Sequence, residues 1–100
     1  MTDATQNVRT SVGTTPDEIK DTVRSLVARI SERDPSEISD TTRFAEDLAI
    51  DSLMAIEIMV AANKLYKLHI GAEEFATLSN VQMAADCIQR HLAGSGPAAT

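Results

Sequence analysis

Glu46, Asp47, Leu48, Ala49, Ile50, Asp51, Ser52, Leu53: this run ends an acidic connector and opens an apolar helix. Beyond it, Leu53, Ile56, Val60 and Ala61 recur at helical spacing, so Asp51 or Ser52 is the natural capping or first helical residue. A hydroxyl at that position lies at the positive end of the helix dipole, where a phosphate ester is favoured by about 0.3–1 kcal/mol. Ser52 is therefore the candidate for a covalently loaded site. The helix it opens is expected to run from Ser52 to Tyr66, with a short extended exit at Ile70 before Gly71.

Upstream, Thr15, Pro16, Asp17 and Glu18 form a helix start, with Thr15 as N-cap, Pro16 in the first helical position and Glu18 closing a capping box. Ile19, Val23, Leu26, Val27 and Ile30 then mark one apolar face, and the helix is expected to stop near Asp34 and Pro35. From Pro35 to Asp51 no helical period is sustained. Ile38, Phe44 and Leu48 are spaced to pin this segment over a core, so it reads as an ordered connector. Downstream, Glu73 to Ala76 allows one extra turn, and Asn80 caps a last helix with Val81, Ala84, Ala85, Ile88 and Leu92 on one face.

The result is an all-α fold, a small helical bundle of three main helices plus one short helix, with a long loop between helices one and two. Residues 1–14 and 94–100 are polar or small and are expected to be disordered tails around a domain at 15–93. Aromatics are only 3% of the 100 residues, which suits packed helices better than a sandwich or barrel. A domain of this size buries roughly 60–65% of its extended-chain surface. That leaves little room for a deep catalytic cavity, so function is expected at the surface.

A net charge of −6 and a pI of about 4.7 argue against nucleic acid and anionic membranes as partners. From Pro35 to Asp51, Glu37, Asp40, Glu46, Asp47 and Asp51 face Arg43 alone, so most of the net negative charge is expected beside Ser52. A basic partner surface would be steered there. No run approaches a membrane span and no signal region precedes the domain, so a cytoplasmic location is expected. The single Cys87 excludes an internal disulfide and is expected to be a small buried or flanking hydrophobe. Met54 and Met59 are expected to fill gaps, and His69 to be exposed at the helix exit.

From Phe44 through Leu92 the pattern resembles an acyl carrier protein. The resemblance rests on Phe44, Glu46, Asp47, Leu48, Asp51, Ser52 and Leu53, then Ile56, Glu57 and Ile58, then Ile70 and the Asn80, Val81, Gln82 start of the final helix. It implies that Ser52 receives 4′-phosphopantetheine from coenzyme A through a Mg²⁺-dependent phosphopantetheinyl transferase, flanked by Asp51 and Leu53. The thiol of that arm then carries acyl groups as thioesters. It further implies a monomeric, non-catalytic carrier that presents cargo to acyltransferase- and ketosynthase-type enzymes through Glu46, Asp47, Asp51, Leu53, Ile56, Glu57 and Val60. Leu53, Ile56 and Val60 are expected either to pack inward or to contact those partners.

Two departures stand out. Ala49 occupies a place where such carriers often have glycine, and the Ser52 to Ile70 segment sets Glu57 against Lys64 and Lys67, slightly basic where the family is often acidic. The string Asp51, Ser52, Leu53, Met54, Ala55 also looks like polyketide synthase carriers, which favours a discrete carrier of a polyketide-type pathway over primary fatty acid synthesis.

The residues leave other readings. A cofactor-free helical adaptor would keep the fold without using Ser52. An aminoacyl or peptidyl carrier of nonribosomal synthesis usually shows a glycine pair before the modified triplet, which Ala49 and Ile50 do not supply. A hydrolase built on Ser52 lacks a glycine-framed nucleophile turn, and neither His69 nor His91 is patterned as its base. Asp47 and Asp51 do not follow calcium-loop spacing and no Cys/His cluster is evident, so no metal site is expected.

Overall fold

The computed structural model describes residues 13–94. The expected tails therefore lie almost wholly outside the described residues. Among the described residues five α-helices follow in order: α1 (Pro16–Ser31), α2 (Phe44–Leu48), α3 (Ser52–Tyr66), α4 (Ala72–Phe75) and α5 (Val81–Leu92), with a 3-10 turn at Pro35–Glu37. No strand occurs among the described residues. The three main helices are α1, α3 and α5. The fourth short helix of the sequence reading is α4, and α2 is an additional one inside the connector. A five-residue helix is too short to display a period, which is why spacing alone did not reveal it.

Thr15 caps α1 as its sequence requires. Its hydroxyl accepts the Glu18 amide at 3.3 Å, and the Glu18 carboxylate accepts the Thr15 amide at 3.2 Å. The helix ends at Ser31, short of the expected Asp34, because Glu32 turns into the left-handed region (φ 59°) and Arg33 donates back to the Ala28 carbonyl at 2.8 Å. Asp34 then opens the 3-10 turn by accepting the Ser36 amide at 2.9 Å, which holds its carboxyl below the usual range.

α1 packs on both α5 and α3, and its fully buried Ile19, Val23 and Val27 meet Ile58 of α3 and Val81 and Ile88 of α5 in one core. The connector crosses that core as expected, burying Ile38, Phe44, Leu48 and Ile50. Its polar groups are paired to what lies beside it. Arg24 of α1 donates to the Ile38 carbonyl at 2.9 Å and bridges to Asp40, which Lys20 also approaches at 3.1 Å. Phe44 N–H donates to the Ser79 carbonyl at 2.8 Å, and Gln82 N–H donates to the Asp40 carbonyl at 3.0 Å. Beyond α3, the Asn63 side chain holds Ile70 by both its amide (3.0 Å) and its carbonyl (3.1 Å), standing in for a strand partner at the exit.

α2 begins with no side-chain cap on its first turn. Instead Asp47 reaches back to the Arg43 amide at 2.9 Å and the Arg43 guanidinium at 3.3 Å. Those two hydrogen bonds, the backbone one foremost, hold the Asp47 carboxyl below its usual value of 3.8. The support it lends α2 is thus present above the ordinary carboxylate range and is lost as pH falls through the depressed value. α2 then ends on Ala49 in the left-handed region (φ 57°), from which the chain turns so that Ile50 N–H donates to the Phe44 carbonyl at 3.0 Å. A left-handed residue with a Cβ costs about 1–2 kcal/mol.

Two outcomes follow. Ala49→Gly should raise stability to urea by roughly 0.5–1 kcal/mol, the relief of left-handed strain less the entropy that glycine costs; a loss of similar size would contradict that backbone. An NMR pH titration should find the Asp47 midpoint below 3.8 and rising toward it in Arg43→Ala, whereas a midpoint at or above 3.8 in the parent would exclude the clasp.

Candidate functional site

Asp51 is the N-cap of α3. Its backbone is extended, and its carboxylate accepts the Met54 amide at 2.9 Å while its carbonyl accepts the Ala55 amide at 2.9 Å. Ser52 follows as the first helical residue and is exposed. Its hydroxyl makes no hydrogen bond among the described residues. The α3 amides not yet satisfied by carbonyls point toward this end, so a phosphodiester on Ser52 Oγ would sit where helix polarity favours it. An accessible, uncommitted hydroxyl at a helix start fits a covalently attached phosphate arm.

Beside Ser52 lies a cavity of about 420 Å³, walled by Phe44 and Glu46 of α2, Ile50, Ala55 and Met59 of α3, and Ala72 and Phe75 of α4. Its size falls in the range of small-molecule pockets, about 300–1,000 Å³. On the other side of α3 a groove of about 800 Å³ separates it from α1, lined by Leu26 and Arg29 of α1 and by Ile56, Glu57, Val60 and Lys64 of α3.

The structure distributes the expected contact residues between these two features. Glu46, Asp51, Ser52 and Ile56 border the cavity, Ile56 also borders the groove, and Glu57 and Val60 line the groove alone. Leu53 lines neither and is 66% exposed, and Ile56 and Val60 are 44% and 51% exposed. An inward role for this stripe is thereby excluded. The buried face of α3 is Ile58, Ala62 and Tyr66, with Met54, Ala55, Met59 and Ala61 partly covered. α3 is apolar nearly all round, so periodicity could not choose its inner face.

The acidic neighbourhood of Ser52 is also smaller than the sequence count. Glu37 pairs with Arg33 at 3.7 Å, Asp40 with Lys20 and Arg24, and Asp47 with Arg43. Glu46 and Asp51 have no ion pair among the described residues. The missed cations are on α1 or just after it, outside the segment over which charge was counted.

Neither histidine is placed to activate Ser52. His69 is exposed beyond the C-terminal end of α3, a helix about 22 Å long at 1.5 Å per residue. His91 Nε2 is held 3.1 Å from both Glu74 carboxylate oxygens. Cys87, fully buried, donates to Glu74 at 3.3 Å, and burial, aided by that carboxylate, pushes its thiol up to about 11. It stays protonated near neutral pH and is no nucleophile. Glu74, Cys87 and His91 thus form a cluster that the sequence reading did not anticipate. The available signal was the four-residue spacing of Cys87 and His91 on one helix face.

No helix of the described residues is long and apolar enough to cross a membrane. Residues 21–88 match the family model described as a phosphopantetheine attachment site. The chain is 38% identical to the polyketide-8 synthase acyl carrier protein 2 of Streptomyces avermitilis over 63% of this chain and 72% of that one. It is 37% identical to an acyl carrier protein of Brachyspira hyodysenteriae over 75% of this chain and 92% of that one. The fold is similar to the NMR structure of an HMG-ACPI domain from the CurA module of Lyngbya majuscula, with a TM-score of 0.73 and 24% identity over 83% of each chain. The uncommitted serine at a helix start, the all-α bundle around it and these relatives agree: the chain belongs to the acyl carrier proteins, the family that carries acyl intermediates on covalently attached 4′-phosphopantetheine.

Proposed function

We propose that Ser52 is the attachment residue for 4′-phosphopantetheine and that the protein is a monomeric carrier of a polyketide-type pathway. The observation that carries this reading is the exposed Ser52 hydroxyl, free of hydrogen bonds among the described residues, at the start of α3 and the mouth of the 420 Å³ cavity. When bound, the arm supplies a terminal thiol on which acyl groups ride as thioesters. The rest is supplied by the chain. Asp51 fixes the first turn of α3, α3 offers its N-terminal amides to the phosphate, and Glu46 and Asp51, which have no ion pair among the described residues, offer charge to a basic partner.

Members of this family are carriers rather than catalysts and work with synthase enzymes. Neither His69 nor His91 stands where it could activate Ser52, which supports a carrier that an external phosphopantetheinyl transferase must load. Leu53, Ile56 and Val60 form an exposed apolar strip suited to acyltransferase- and ketosynthase-type partners, with Glu57 beside it and Asp47 as a weaker contact because Arg43 neutralises it. The cavity beside Ser52 is large enough to shelter a short acyl chain between Ile50, Met59 and Phe75. Coenzyme A is an intracellular donor, which supports a cytoplasmic location. The polyketide assignment rests on the Streptomyces relative's name and on the Asp51 to Ala55 string.

Intact-mass spectrometry after incubation with coenzyme A, Mg²⁺ and a broad-specificity phosphopantetheinyl transferase tests this reading. The parent should gain one phosphopantetheinyl group and Ser52→Ala none, while Asp51→Lys with Glu46→Lys should slow loading at low salt by about tenfold or more, an effect that fades as salt rises. A folded parent left unmodified by two different transferases would favour the cofactor-free adaptor. Loading of the double-charge variant at the parent's rate would remove the steering role.

A further inference from the structure

Away from Ser52, α4 and α5 bring together three side chains whose facing atoms are all metal ligands. Cys87 and His91 stand four residues apart on α5, so the helix stacks them on one face, and Glu74 of α4 reaches over both. Glu74 Oε2 lies 3.3 Å from Cys87 Sγ, both Glu74 oxygens lie 3.1 Å from His91 Nε2, and all three donors fall within 4.8 Å of one another. In a tetrahedral zinc site with bonds of about 2.0–2.3 Å, neighbouring donors stand about 3.3–3.8 Å apart. The two spacings from Glu74 are close to that before any ion enters, and Cys87 Sγ and His91 Nε2, within 4.8 Å of each other, would close on the ion by side-chain rotation.

The donor set also fits in charge and softness. A thiolate, a carboxylate and a neutral imidazole carry two negative charges, which balance a divalent cation, and mixed sulfur and nitrogen ligation selects zinc over magnesium or calcium. Cys87 is buried, whereas the side chains of Glu74 and His91 keep 32% and 18% exposure, leaving a solvent-facing side for a water. Loading of Ser52 uses none of the three residues.

We propose that Glu74, Cys87 and His91 bind one Zn(II)-class cation, with water as the fourth ligand. Three existing interactions compete with it. His91 Nε2 donates its hydrogen to the Glu74 carboxylate, so the ring must take the tautomer with the hydrogen on Nδ1 before Nε2 can bind. The thiol holds its proton up to about 11, and the cation must displace that proton to bind. The Arg90 guanidinium, 3.9 Å from Glu74 Oε2 on a side chain 56% exposed, must also draw back into solvent. Binding has a reach beyond the cluster. α4 contributes Ala72 and Phe75 to the cavity beside Ser52, so a cation joining Glu74 to α5 stiffens one wall of that cavity.

Cobalt(II) is the direct probe, because a thiolate bound to it gives a charge-transfer band in the near ultraviolet and tetrahedral coordination gives intense visible bands. It is titrated into the chelator-stripped full chain and into Ser52→Ala, which cannot bring an arm thiol at that serine. Both should saturate near one equivalent with both sets of bands, and Zn(II) should bleach them. Cys87→Ser should lose the charge-transfer band, and His91→Gln and Glu74→Gln, at partly exposed positions that leave the core untouched, should weaken binding more than about tenfold. Circular dichroism confirms that each variant is folded. A folded parent with no thiolate band would overturn the site, as would folded His91→Gln and Glu74→Gln variants that bind like the parent, and the cluster would then be only a hydrogen-bonded clasp between α4 and α5.

Discussion

Phe44 is held from two directions, and the placement of Ser52 depends on it. Its ring is buried in the core while its amide donates to the Ser79 carbonyl at 2.8 Å and its carbonyl accepts the Ile50 amide at 3.0 Å. The first bond ties the connector to the approach of α5. The second closes the turn that delivers Asp51 and Ser52 to the start of α3. Without that double hold, a segment with only one short helix and a 3-10 turn would keep the conformational freedom of a loop, and Ser52 would stand on a mobile end. With it, the three long helices need only pack their apolar faces to fix the serine in space.

The same connector explains how a charged segment lies across an apolar core. Asp40 and Glu37 are met by Lys20, Arg24 and Arg33, and Asp47 by Arg43, so their charge is largely spent within the domain. The exposed pairs Arg33–Glu37 and Arg43–Asp47 contribute little stability individually. They leave Glu46 and Asp51, the acids that border the cavity, without an ion pair among the described residues.

Much of this was legible in the sequence where local chemistry decides the outcome. The Thr15–Glu18 capping box, Asp51 and Asn80 as caps, and the span of α3 depend on contacts within one turn, and the structure reproduces them. Where the outcome depends on partners distant in sequence, spacing was insufficient. The early end of α1 arises from a left-handed Glu32 that no glycine announces, and α2 is too short to have a period. The inner face of α3 was chosen by the packing of α1, not by its own pattern. Glu74 could be joined to Cys87 and His91 only once α4 was seen to lie against α5. Ala49 sat in between: the glycine expected from the resemblance was visibly missing, and the left-handed backbone that favours glycine there was not visible in the sequence.

The central claim is that this connector presents one serine, among several exposed hydroxyls, for loading. Tandem fragmentation of the loaded chain tests it most directly, by locating the added mass along the backbone. The account predicts that every fragment carrying the phosphopantetheinyl group contains Ser52 and that none lacking Ser52 carries it. An arm found on Ser39, Ser79 or any other hydroxyl would contradict it.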